Sequence, residues 1–268
     1  MIVITSLRDI KMKFYRITIV LFIILNSILL CQQSDNLVKE GDKFADSFND
    51  MAALDKYLQA DKVSPKNWDI LWKISRSYVN IGVHMPESTS DQKDAQLALY
   101  QKALSYAELA VNYGADKSIS YVRRAIANGR IALFKGVFSV GGVVNSIKKD
   151  CEKAITLNNG GNYVQGLAHY ILARTNAKIS EKWAPARAVL GLGWADNEIA
   201  VKEFKTAVTL YPNFRMFYVD YARSLIREDR YNEAKDALGK CLASPKREED
   251  DDSRIAEAKQ ILNEIKNK

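Results

Sequence analysis

The chain of 268 residues holds few side chains suited to bond-making chemistry: two histidines, His84 and His169, and three cysteines, Cys31, Cys151 and Cys241. No CxxC pair, HExxH helix, P-loop, GxSxG elbow or dinucleotide fingerprint occurs, so the common metal, nucleotide and acyl-transfer sites lack their ligands. Asn158-Asn-Gly-Gly161 and the paired glycines at 141–142 and 191–193 read as turns. The acidic run Glu248 to Asp252 reads as carboxylates gathered before a helix, where free N–H groups and the dipole favour them. No cofactor, metal or catalytic residue is expected, and the chain is not read as an enzyme. What remains is recognition. Arg123, Arg124 and Arg130 form one basic set, and Arg174, Lys182 and Arg187 a second. Tyr121, Trp183 and Trp194 stand near them, as do Gln165 and His169. Guanidinium groups beside aromatic rings suit a carboxylate, an acidic ligand or an extended peptide. The same residues also fit a solvated basic face with tryptophans in the core. The candidate groove is therefore Tyr121, Arg124, Arg130, Gln165, His169, Arg174, Trp183, Arg187 and Trp194.

The elements that must position these residues are helices, because apolar residues recur at three- and four-residue spacing from Asn36 onward. Two segments repeat closely: Ala53-x3-Tyr57-x2-Ala60-x4-Pro65 and Ala200-x3-Phe204-x2-Ala207-x4-Pro212. Small side chains let two antiparallel helices approach, a ring fills the gap one turn on, and proline ends the helix. This is the pattern of the second helix of a tetratricopeptide repeat. First helices begin with Leu37-x3-Gly41-x2-Phe44 and with Leu71-x2-Ile74 through Gly82. Further second-helix patterns run from Ala103, Ile147 and Ala234. The spacing predicts an all-α superhelix of about five such pairs over residues 34–268, capped by a helix from Ser253 to Asn267. The repeat positions 53, 103, 147, 200 and 234 step unevenly, so insertions are expected near 83–97, 136–146 and 179–196, where function is sought first.

Residues 1–31 read as an address or an anchor. Residues 17–30 are apolar behind Lys13 and Arg16, and Gln32 to Asp35 are polar. Cys31 ends the run, where a bacterial lipoprotein carries its acylated cysteine, although Leu30 replaces the small residue that processing prefers. An uncleaved anchor, a secreted product and a buried N-terminal helix are the alternatives. The formal charge of +7 falls once this segment is set aside. It carries four bases and one acid, leaving 35 basic and 31 acidic residues. Such a mild excess, without a clustered stripe, does not point to nucleic acid.

The stretch from Tyr100 onward resembles the regulator of microtubule dynamics family and its bacterial tetratricopeptide relatives. Tyr106-Ala-Glu-x-Ala110, Gly129-Arg130, Ile147 through Asn158, Trp183-x3-Arg187-x3-Leu-Gly-Leu-Gly193 and Asp250 through Leu262 carry the likeness. It implies a helical-repeat protein with a membrane-anchored N-terminus. A second resemblance, to periplasmic helical-repeat lipoproteins that partner transporters, implies a solute-binding accessory. The expectation is a non-catalytic scaffold for an unidentified protein or peptide partner at the bacterial cell envelope, membrane-anchored and facing the periplasm. The alternative is a solute- or lipid-binding accessory of a transporter.

Overall fold

The structure, a computed structural model, describes residues 15, 18, 29–135 and 141–268. Among these, twelve helices and no strand occur. Residues 29–46 form α1. Then come α2 (Asp50–Val63), α3 (Trp68–Val83), α4 (Ser90–Tyr113), α5 (Ser118–Lys135), α6 (Gly141–Leu157) and α7 (Gly161–Ser180). The chain continues through α8 (Ala184–Val189), α9 (Asn197–Leu210), α10 (Arg215–Arg227), α11 (Tyr231–Ala243) and α12 (Asp251–Glu264). The pairs are α1–α2, α3–α4, α5–α6, α7–α9 and α10–α11. First helices also touch the first helix of the next pair (α3 on α5, α5 on α7, α7 on α10), and α12 closes the stack on α10 and α11. This is the expected superhelix of five pairs with a cap.

The repeated sequence pattern is the packing seam. Ala53, Tyr57 and Ala60 are fully buried, and so are Ala103, Ala107 and Ala110, and Ala200, Phe204 and Ala207. Ile147, Cys151 and Ala154 fill the same places in α6, and Ala234, Leu238 and Cys241 fill them in α11. Both cysteines thus serve as small core side chains, and burial pushes the Cys151 thiol well up. Helix starts are set locally. The side chains of Asn49, Asn67, Thr89 and Asp196 accept backbone N–H groups at the starts of α2, α3, α4 and α9, each satisfying a donor the helix cannot. Asn158, Gly160 and Gly161 take positive φ angles in the α6–α7 turn, as the Asn-Gly run predicts.

The three insertions resolve differently. Most of 83–97 is an N-terminal extension of α4, which runs 24 residues against 14 for α2. Of 136–146, residues 136–140 lie outside the described residues, and the rest opens α6. The third contains α8 and a buried plug of Leu192 and Ala195 against Val144 and Ile147. The proposed signal segment lies almost entirely outside the described residues. No helix among those described is long and apolar enough to cross a membrane.

Candidate functional site

First helices line the inside of the superhelix, and there a cavity of about 490 Å³ remains open. Its walls are α3, α5 and α7. The α1–α2 turn, the 211–216 segment and the chain at 247–254 complete them. Val79, Ile126, Leu167 and Ile171 supply apolar surface, and Arg76, Arg123, Arg130 and Arg174 supply positive charge. These four arginines come from three successive first helices, so the charge runs along the channel.

The arginines differ in how they are held. Arg76 donates from Nη2 to the Tyr57 hydroxyl at 3.0 Å, while its Nε is buried without a partner. Arg174 approaches the Tyr170 hydroxyl at 3.4 Å and the Asp220 carboxylate at 3.7 Å. Tyr170 itself donates to Asp220 at 2.6 Å. Arg123 is buried, with Nε and Nη2 unbonded. The guanidinium groups of Arg76 and Arg123 each lie 5.3 Å from the Trp72 ring centre, a cation–π arrangement on both. Burial lowers the pKa of Arg123 and, together with Arg174, that of Arg130. Both remain cations at any physiological pH.

The rim is acidic. The segment before α12 returns across the channel mouth, and His84 at the end of α3 meets it. Its Nδ1 lies 3.3 Å from Glu249 and its Nε2 3.2 Å from Asp250. Asp250 and its neighbours are fixed from behind. Asp251 accepts the backbone N–H groups of Arg247 and Glu248 at 2.7 and 3.0 Å, and Arg254 pairs with Glu248 and Asp251. The acidic run is thus a helix-start motif, as its sequence suggests, and also a clasp. Asp50, whose carboxyl burial pushes upward, joins His84 and Glu249, with one ligand atom from each within 4.8 Å of the others. Among the described residues this set is the arrangement with room for a cation.

Of the nine groove residues expected from spacing, Arg130 and Arg174 face the channel. The others are placed elsewhere for visible reasons. Arg124 turns outward to α6 and forks onto Asp150, at 2.8 and 2.5 Å. Tyr121 lies under Arg124 and donates to the Ala115 carbonyl. Gln165 is buried, donating to the Ala154 and Asn159 carbonyls across the α6–α7 turn. His169 Nδ1 meets Glu203 of α9 at 2.6 Å, inside its own helix pair. Trp183 is 73% exposed at the start of α8. Arg187 donates to the Ala195 carbonyl, and Trp194 donates to Asn145 at 2.8 Å beneath Lys148. Cys31 is exposed near the start of α1. Arg76, Tyr170 and the 247–250 return were not expected there. Arg123 was visible as a neighbour of Arg124, and its seven-residue spacing from Arg130 is the signal that both share one face.

A sequence profile described as Regulator of microtubule dynamics protein 1-3 matches residues 30–266. Among curated proteins none matches by sequence. Among solved structures, a thermophilic TPR protein of Thermus thermophilus, TTC0263, is similar at 18% identity and a TM-score of 0.59, over 85% of this chain and 99% of that one. MamA from Desulfovibrio magneticus RS-1 is 11% identical with a TM-score of 0.48, covering 79% of this chain and 94% of its own.

Proposed function

The chain belongs to the regulator of microtubule dynamics protein 1-3 family, and from that premise we propose that it is a non-catalytic tetratricopeptide-repeat scaffold that docks a segment of a protein partner in its concave channel. The observation that carries this reading is the open channel lined by arginines from three successive first helices. Guanidinium groups hold and orient anions but do not exchange protons near neutral pH, so this lining suits recognition rather than turnover. The test is a photo-crosslinking amino acid at Leu133, an exposed channel residue, compared with one at Lys153, exposed on the outer helix α6. A discrete adduct from the channel position alone is expected. Equal labelling from both positions, or none, sinks the reading.

A second reading, a solute- or lipid-binding accessory, is favoured by one observation. The cavity lies within the 300–1,000 Å³ range of small-molecule sites, and one stretch is walled by Val144, Ile147 and Ile179. Native mass spectrometry of the purified chain would reveal a retained small molecule, and a ligand-free spectrum counts against it.

We further propose that the N-terminus tethers the protein at the bacterial cell envelope, facing the periplasm, with Cys31 as the acylated residue. Its support is the apolar run at 17–30 and the exposed thiol beside it. Palmitate labelling that persists in Cys31→Ala rules out this attachment.

A further inference from the structure

We propose that Arg123 is the anion anchor of the channel and that the docked segment is an extended acidic peptide. This rests on the concave-channel reading and names the chemistry of its ligand. Arg123 is 6% exposed, lines the cavity, and leaves Nε and Nη2 without a partner. A guanidinium brings five N–H donors, and donors buried unmet oppose folding.

Two other arginines of the same fold are matched by acceptors. Arg124, the next residue, has its fork filled by Asp150. Arg215, equally buried at 8%, donates to the Cys241 and Ser244 carbonyls and faces Asp251. Arg123 leaves two buried donors unmet where Arg76 and Arg187 each leave one, and it stands on the channel wall. Tyr163 meets part of the guanidinium through a side-chain hydrogen bond and Glu248 acts on it through its charge, but Nε and Nη2 stay unmet and Glu248 is already engaged by Arg254. The Arg76 and Arg123 guanidinium groups each lie 5.3 Å from the centre of the same Trp72 ring, so two like charges share one aromatic neighbour.

A second cation fixes the class of ligand. Arg130 lines the channel and makes no hydrogen bond or ion pair with any described residue. Seven residues of α-helix separate it from Arg123, about 10 Å along the axis. Carboxylates three residues apart on a polyproline-like segment sit about 9 Å apart on one side, so one acidic peptide reaches both. A phospholipid headgroup concentrates its charge at one point and leaves one arginine unmet.

The full chain is titrated calorimetrically, at low salt, with N-acetylated, C-amidated hexaglutamate, with inorganic phosphate, and with phosphatidylglycerol vesicles. Hexaglutamate binding is expected. Arg123→Met should weaken it at least tenfold and Arg123→Lys less, since lysine keeps the charge but loses the fork. Arg130→Met should also weaken it, and Lys153→Met on the outer face should not. The melting temperature of Arg123→Met should hold or rise by about 2–4 °C, because an apolar side chain replaces a buried unmatched charge. Unchanged hexaglutamate affinity in Arg123→Met overturns the proposal, and so does a lowered melting temperature, which marks a structural arginine. Binding of phosphate or vesicles without the peptide overturns it as well, as does no binding at all. A Leu133 crosslink that persists in Arg123→Met leaves the scaffold standing and removes only the anion anchor.

Discussion

Asp42 shows how single side chains set this fold's response to acid. It lies on α1 and accepts hydrogen bonds from Tyr57 of α2 at 2.6 Å and from Lys73 of α3 at 2.7 and 3.0 Å. One carboxylate therefore ties together the first three helices. Burial pushes its pKa up, but the hydrogen bonds from Lys73 and Tyr57 and the Lys73 charge outweigh this and hold it below the ordinary range. A carboxylate depressed in the folded state contributes its stability above the unfolded pKa and loses it as pH falls through the folded value. Charge-assisted hydrogen bonds are worth about 1.5–3 kcal/mol, and a site more than a third open to solvent takes the lower end or less. Asp42→Asn should thus lower the melting temperature by about 2–4 °C at pH 7. The gap to the wild type should close in the acid range below the usual aspartate pKa. A gap that stays constant down to pH 2.5 would show that the carboxylate's charge is irrelevant. At this scale the sequence was a partial guide. Arginine on first helices was legible, but Arg123 and Arg124 are adjacent, and about 100° of helical rotation decides which one meets Asp150 and which meets the channel. Only the neighbouring helices settle that angle.

At the scale of the element, the seam between paired helices is set by residues with no side chain to spare. A Cβ built on Gly82 of α3 would stand 2.6 Å from the Tyr100 ring of α4, and one on Gly41 would stand 2.5 Å from the Tyr57 ring. The same glycine–tyrosine fit is used in two successive units. Gly239, exposed in α11, has open space where its Cβ would lie. Alanine improves helix propensity at both positions by about 1 kcal/mol. Crowding against a buried ring costs about 1–3 kcal/mol, so the two signs should differ. Gly239→Ala should raise stability in urea unfolding by about 0.5–1 kcal/mol, while Gly82→Ala should lower it. A stabilising Gly82→Ala would mean that α3 and α4 can part without cost. This seam is also why the fold was readable: small residues at fixed offsets are a steric demand that a sequence states directly. Insertions were harder. Extra residues at 83–97 could build a loop or lengthen a helix, and the Thr89–Gln92 capping box starts α4 early.

Over the whole molecule, the return of the chain before α12 makes the superhelix differ from an open array. In an open solenoid each repeat feels only its neighbours, so a change at one end does not reach the other. Here His84 meets Asp250 across 166 positions in sequence, and the two segments share the wall of one channel. His84→Ala removes the only side chain of α3 whose ring nitrogens address the return among the described residues. Hydrogen exchange read by mass spectrometry should then speed up in the peptides covering both 84–89 and 247–252. Peptides from α9, which packs on α7 and α10, should be unchanged. Faster exchange at 84–89 alone would describe an ordinary helix end and an open array. The coupled response would mean that the last helix, besides capping the stack, sets how wide the channel stands when a partner arrives.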